Sequence, residues 1–461
     1  MREEHRGHRE RLLFGTLPGD FARVSGSTRE SFAREYPAAP PERQAQIVDL
    51  VADLAIDLGS YLTRWHLLAP QDGGSLEAAV VRQEVDGNRD LLRRWGADGQ
   101  LAEVDAEIAS IERSNLRRLS ELADAGELDS RWGHDAATGL TWALRRGAVL
   151  VTTNPVMVNT VRKEDPASWD PVRDALKAAH PEATPEQRVS LMTMSVVLEE
   201  CQELRPVWKA TGGHYGYVSL QVNPRASEDA GRMAEEVEDL YHRLTRELGG
   251  TPNTVFKIPG TRAGLDAVRR VTAKGIGVNI TLNASVSQQL AFAEIIEQGS
   301  ARVSFLTLMM GRLDDPVRDE LAAAGLPDAV EVSRWASVAV LRRAYPLLFE
   351  ERGYRRSNIL AASMRGPWTV DGAIVQGPSQ VYVSCFPDKA REYDSVAREV
   401  TSHVREPLPA GIEKKLSHSQ TFRRAYGVDT LPVQEFHTFV PVVQTLEQFS
   451  RHYDEFVDYN R

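Results

Sequence analysis

The chain has 461 residues, 42% apolar and 26% charged, with a formal net charge of −10. That is the balance of a globular chain long enough for a full barrel plus an appendage. The acidity argues against nucleic acid as the main partner, and no apolar run approaches the roughly 20 residues that a membrane helix needs.

The N-terminus, MREEHRGHRERLLFG, is charged and lacks the apolar stretch of a signal peptide. Cys201 and Cys385 are too few for a disulfide framework. Both features point to a cytoplasmic protein with two buried thiols. Residues 1–123 read as a helical N-terminal extension. In 41–68, Ile47, Leu50, Val51, Leu54, Leu58 and Leu62 recur at three-to-four spacing, which marks one buried face. A second helical stretch starts near Ser75 and runs toward Leu122, with breaks expected around Gly87 and Gly96–Gly99.

After Gly126 short β-like runs alternate with helical stretches. The runs are Glu127–Asp129, Ala148–Thr152, Tyr217–Val222, Thr254–Ile258, Gly277–Leu282, Arg302–Leu308, Asn358–Ala362 and Gln380–Phe386. Helices are expected between them, among them 185–204, 227–248, 262–275 and 285–299. Eight apolar strands that alternate with amphipathic helices imply a parallel (β/α)8 TIM barrel, an α/β fold spanning 124–461. From about 387 the chain reads as helices and loops, ending in an amphipathic helix over Val442–Tyr459.

In such a barrel the working residues sit at the C-terminal ends of strands. Lys257, in NTVFKIPG, is a lone cation in a β-branched run. Inside a barrel it would lose hydration, favour the neutral amine and be able to form an imine with a ketone. On pattern alone it equally fits a strand-end lysine paired with a carboxylate. Asp129, read as the end of the first strand, fits a general acid/base or a helix-capping aspartate. Asn154 in TTNP fits a hydroxyl-orienting amide or a turn cap. Gln221 is an inward amide that needs a partner. Asn279 and Thr281 lie two apart and so face one side of a strand, where Thr281 could hold a catalytic water. Arg312 and Arg365 follow the sixth and seventh strands. Two guanidiniums at one barrel mouth make a phosphate site, to which Ser363 adds a hydroxyl. The chain contains no P-loop, GxGxxG after a strand, HExxH or CxxC. Of its 11 histidines, only His134 falls near a candidate residue, and it reads as a loop residue.

The blocks VTTNP (151–155), VSLQVNPRASEDAGRMAEE (218–236), VFKIPGTRAGLDAV (255–268), GIGVNITLNASVSQQ (275–289), MMGRLDD (309–315), ASMRG (362–366) and LPVQEF (431–436) together resemble the transaldolase family. They occur in order and span about residues 126–460. By that resemblance Lys257 is the imine-forming lysine and Asp129 the acid/base. Asn154 and Asn279 hold donor hydroxyls, and Thr281 positions the relay water. Arg312, Arg365 and Ser363 bind the phosphate, with Thr307 at a position usually Ser. The sequence also departs from the family. Gln221 stands where typical transaldolases carry Glu, and Asn223 where an acidic residue is usual. Met309 replaces the Phe of most transaldolases and the Tyr of the fructose-6-phosphate aldolase branch. Because Gln cannot take a proton as Glu does, the water-activating group must differ.

The resemblance implies transfer of a three-carbon dihydroxyacetone unit from a ketose phosphate to an aldehyde, without metal or cofactor. Gln221 and Met309 suggest a specialised sugar pathway. The alternatives are a stand-alone aldolase and a protein that binds phosphosugars or a partner with little turnover. Sugar phosphates are the expected partners, with no nucleic acid or membrane, and the extension offers a surface for self-association or for another protein.

Overall fold

The computed structural model describes residues 2–14, 16–68 and 76–461. Eight parallel strands close into a barrel in sequential order: β1 Ser130–His134, β2 Leu150–Thr152, β3 Tyr217–Gln221, β4 Thr254–Pro259, β5 Val278–Thr281, β6 Ser304–Met309, β7 Ser357–Ala362 and β8 Val381–Cys385. β8 pairs with β1 over Ser130↔Val381 to His134↔Cys385, which leaves no free edge. Seven of the strands fall within two residues of the expected runs.

The exception is β1, expected at Glu127–Asp129 and found at Ser130–His134. Its sequence, SRWGH, hides the strand because its polar residues are matched from inside the protein. The Arg131 guanidinium pairs with Asp124 and lies 4.7 Å from the ring centre of Tyr215, while the Trp132 indole donates to Arg146 O at 2.9 Å. His134 is therefore a buried strand residue rather than a loop residue, its ring engaged with Thr138 O at 2.5 Å.

The barrel interior is layered. Tyr217, Phe305 and Tyr382 fill the lower part, with ring centres 6.5 and 5.0 Å apart along that series. Above them the Asn279 amide donates to Ser219 Oγ at 2.9 Å and accepts from the Thr307 hydroxyl. Helices flank the strands where capping signals occur. Thr184 and Gln187 form a reciprocal box at the start of Pro185–Ala210, and Thr261 and Ser285 accept from the first turns of Arg262–Thr272 and Val286–Gln298.

The N-terminal region is helical as expected. Pro41–Asp57 passes through one wide π turn, Leu58–Leu62, into Thr63–Leu68. Ala78–Arg94 runs unbroken through Gly87, and the chain does break near Gly96, then again before Asn115–Asp124. The expected start near Ser75 lies outside the described residues. Buried ion pairs fasten this region to the barrel shell. Asp57 takes His5 at 2.6 Å and Arg145 at 2.9 Å, and Arg64 pairs with Asp124 at 2.6 Å. Burial pushes the Asp57 carboxyl up, but Arg145 and His5 more than offset it and hold it well below the usual carboxylate range. Cys201 and Cys385 are both buried free thiols. No helix among the described residues is long and apolar enough to cross a membrane.

Candidate active site

The C-terminal ends of the strands surround a small closed cavity. Asp135, Thr152, Asn154, Lys257, Thr307, Met309, Arg312, Ser363, Phe386 and Phe449 are among its walls, and the free space inside is only about 30 Å³. Lys257 lies on β4, two residues before Pro259 at the strand's end, and is 5% exposed. Its ammonium donates to Thr153 O at 3.0 Å, its one hydrogen bond among the described residues. Burial lowers its pKa to about 8, with the Asp135 carboxylate pulling the other way. About a tenth of the amine is thus neutral at pH 7, against well under a thousandth for an ordinary lysine.

Asp135 was missed by the sequence reading. It follows β1 directly, its N–H donates to Cys385 O at 2.9 Å, and its carboxylate accepts from Thr152 Oγ1 at 2.6 Å. Thr152 Oγ1 is also 2.7 Å from Ser384 Oγ, so three strands fix this carboxyl. Burial pushes its pKa up, offset in part by Lys257 and Thr152. Asp129, the residue expected in this role, precedes β1 and lies at the opposite end of the barrel. Its N–H donates to Val375 O and its Oδ2 accepts from Gly377 N at 2.8 Å. Six residues of extended chain, about 20 Å, separate the two aspartates. The first strand was placed three to five residues early, so its C-terminal end was assigned to Asp129. With β1 in place, the same strand-end rule selects Asp135.

The phosphate-type residues do converge. Arg312 lies in the first turn of Met310–Ala323, Ser363 follows β7, and both line the cavity. Arg365 stands behind them, donating to Ser363 Oγ at 3.1 Å and paired with Asp315 at 2.7 Å. Burial and then Arg365 lower the Arg312 guanidinium, with Asp315 opposing. The Arg312 guanidinium donates to Gln448 Oε1 from the C-terminal helix Val440–Tyr459, and Phe449 beside it closes the mouth. Ser363 has φ 63°, a left-handed conformation that costs a non-glycine residue about 1–3 kcal/mol and clusters at functional sites. Gly311 makes this turn possible, because a Cβ there would lie 2.4 Å from Ser363 O.

The remaining candidates sit beside Lys257 with altered contacts. Gln221 and Asn279 are its register partners on β3 and β5. Asn279 is held by Ser219 and Thr307 in the layer below, and the Thr281 hydroxyl lies 3.6 Å from Met309 Sδ. Asn154 lines the cavity, yet its Oδ1 also caps Pro155–Glu164, accepting from Val156 N at 2.9 Å. Its cap role and its place at the site therefore coexist. Gln221 Oε1 is buried with no hydrogen-bond partner among the described residues.

A closed parallel barrel that presents one buried amine and one buried carboxyl at its C-terminal edge has its reactive groups where active sites of such barrels lie. The chain belongs to the transaldolase/fructose-6-phosphate aldolase family, whose profile matches residues 141–381. It is 29% identical over 227 residues to a transaldolase of Thiobacillus denitrificans, covering 47% of this chain and 60% of that protein. It is 30% identical over 244 residues to transaldolase 1 of Streptomyces avermitilis, covering 50% and 62%, and 28% identical over 329 residues to a transaldolase of Arthrobacter sp., covering 66% and 84%. The chain thus spans about 60% of the length of the first two relatives.

Proposed function

We propose that this protein transfers a dihydroxyacetone unit from a ketose phosphate to an aldehyde through an imine on Lys257. The observation that carries this reading is the buried Lys257 amine and Asp135 carboxyl facing one cavity that ends in Arg312 and Ser363. In this mechanism the neutral amine adds to the C2 carbonyl of the donor, and the carbinolamine loses water to form the imine. Asp135 takes the proton of the C4 hydroxyl as the C3–C4 bond breaks, and the aldose phosphate leaves. The electron pair stays on the lysine-bound fragment as an enamine, which adds to the acceptor carbonyl while Asp135 returns the proton. Hydrolysis then frees Lys257. Arg312, Ser363 and Arg365 receive the phosphate, whose dianion replaces Gln448 on Arg312. Apolar Met309, Phe386 and Phe449 around the mouth favour a specialised acceptor.

Residues 1–123, on this reading, form an added helical unit that buttresses the 124–461 barrel from the shell side. The test is reductive trapping. Incubation with fructose 6-phosphate or sedoheptulose 7-phosphate and borohydride should add a reduced dihydroxyacetone or ketose to Lys257, seen by peptide mass spectrometry. No adduct at Lys257 with either ketose would overturn the reading.

A further inference from the structure

Behind β3 lies a second cavity that the reaction above does not use. It is walled by Asn154, Ser190, Gln221, Asn223, Glu236 and Tyr453 together with apolar Val158, Val189 and Phe456, and its free space is about 10 Å³, the room of a single water. Two polar atoms on this wall are buried without a hydrogen-bond partner among the described residues, Gln221 Oε1 and Tyr453 Oη. A buried polar group left unmatched costs about 1–3 kcal/mol, so two around one water-sized void mark a place where a water belongs. Glu236 is the acid of this cavity. It is held by Ser190 Oγ at 2.6 Å and by the Asn223 N–H at 3.0 Å, and each carboxyl oxygen keeps a further lone pair.

Gln221 also pairs in register with Lys257 on the adjacent strand, so the two side chains leave the sheet on the same face. An amide has one donor end and one acceptor end, and what stands at one end decides which is turned to the other. We propose that Glu236, acting with Tyr453 around one lodged water, is a positioning residue that fixes which end of the Gln221 amide faces Lys257. This inference rests on the imine reading of Lys257.

A neutral Glu236 carboxyl donates to the water, and the water donates to Gln221 Oε1. The amide Nε2 then faces the barrel axis, where it donates to the oxygen that leaves C2 as the imine forms. An ionised Glu236 takes one hydrogen of the water and leaves the other for Gln221 Oε1, so the amide keeps this orientation in both protonation states. Burial pushes the Glu236 carboxyl up, countered in part by Ser190, Asn223 and then Arg232, while Asp239 on the same helix adds to the rise. Tyr453, on the C-terminal helix, faces Glu236 across the cavity, and burial raises its phenol, with Glu236 and Glu186 adding to the rise.

The experiment compares kcat and KM against pH for the wild type, Glu236→Gln and Glu236→Leu, with borohydride trapping at Lys257 in each. The Gln variant keeps a permanent donor toward the water. It should retain kcat within about threefold at every pH. The Leu variant, which cannot hold the water, should lose about tenfold in kcat at every pH, equivalent to roughly 1.4 kcal/mol. KM should move less than threefold in both, since Glu236 does not touch substrate. If Glu236→Leu keeps the wild-type kcat, or both variants fail alike, the inference is wrong. If the wild type itself gives no lysine adduct, the imine reading fails instead, so the two failures are separable.

Discussion

Replacing Lys257 with Met should make the protein more stable at neutral pH while abolishing imine formation. The amine is 5% exposed and titrates at about 8, against an ordinary value of 10.5. Below pH 8 both the folded and the unfolded chain carry the charge, and the folded chain bears the full penalty of burying it. Between about 8 and 10.5 only the unfolded chain binds the proton, so stability rises with pH, and above 10.5 neither form is charged. At roughly 1.4 kcal/mol per pH unit of displacement, the penalty at pH 7 is about 3 kcal/mol. Met fills a similar volume without a charge. Chemical denaturation at pH 7 should therefore show Lys257→Met more stable by about 2–3 kcal/mol, reduced from the full figure by the lost bond to Thr153 O. The gain should shrink toward zero as pH approaches 10.5. A variant that is less stable at pH 7, or a gain that does not depend on pH, would refute the claim that this lysine is held against its own solvation.

Three further outcomes follow. Asp135→Asn should lower kcat by about 10²–10⁴, the usual worth of a general acid/base, and lower the pH midpoint of trapping by about one unit through loss of the carboxylate facing Lys257, whereas Asp129→Asn should leave steady-state kinetics within about threefold. Asp57→Asn should cost about 1–3 kcal/mol by urea titration, because Arg145 loses one of its two carboxylates and keeps only Asp53 at 2.7 Å. The Asp57 carboxyl lies below its unfolded value near 3.9, so its contribution is present above that pH and lost as pH falls toward the folded value. The variant should accordingly show a shallower acid loss below about pH 4. Gln448→Ala should lower KM about tenfold for phosphorylated and non-phosphorylated donors alike, roughly 1.4 kcal/mol for one charge-assisted hydrogen bond, because either must break the Arg312–Gln448 bond to enter.

The fold was legible because strands such as Val218–Leu220, Val255–Ile258 and Leu306–Leu308 are short, mostly apolar runs buried on both faces, as parallel strands are. β1 was not, because its two inward residues are Arg131 and Gly133, and a hydropathy reading cannot see Asp124 or the Tyr215 ring that shelter the arginine. That one displaced strand moved the predicted acid by six residues. Lys257, Arg312, Ser363 and Arg365 do meet at one end of the barrel, since each stands in or just beyond a strand whose boundary the sequence marks with Pro, Gly or a change of period. Glu236 and Gln448 were invisible for another reason. Glu236 meets Ser190 across 46 residues and Gln448 meets Arg312 across 136, and local pattern does not encode such meetings.

The closed mouth bears on how tightly any donor can bind. A free space of about 30 Å³ is far below the roughly 300–1,000 Å³ of pockets that hold small molecules. On the proposed reading, entry requires the C-terminal helix to give up the Arg312–Gln448 bond and the buried contacts of Phe449. The bond to a charged group is worth about 1.5–3 kcal/mol, and exposing a phenylalanine costs about 2 kcal/mol, so opening costs on the order of 4 kcal/mol. That corresponds to roughly one open molecule in a thousand and weakens apparent affinity by the same factor. Two guanidiniums and the Ser363 hydroxyl closing on a phosphate dianion can return a comparable amount in charge-assisted bonds. A donor without phosphate lacks that return. On the proposed reading the strap formed by Gln448 and Phe449 would therefore select for phosphorylated donors before Lys257 is reached, and part of the specificity would lie in a helix some 190 residues beyond that lysine.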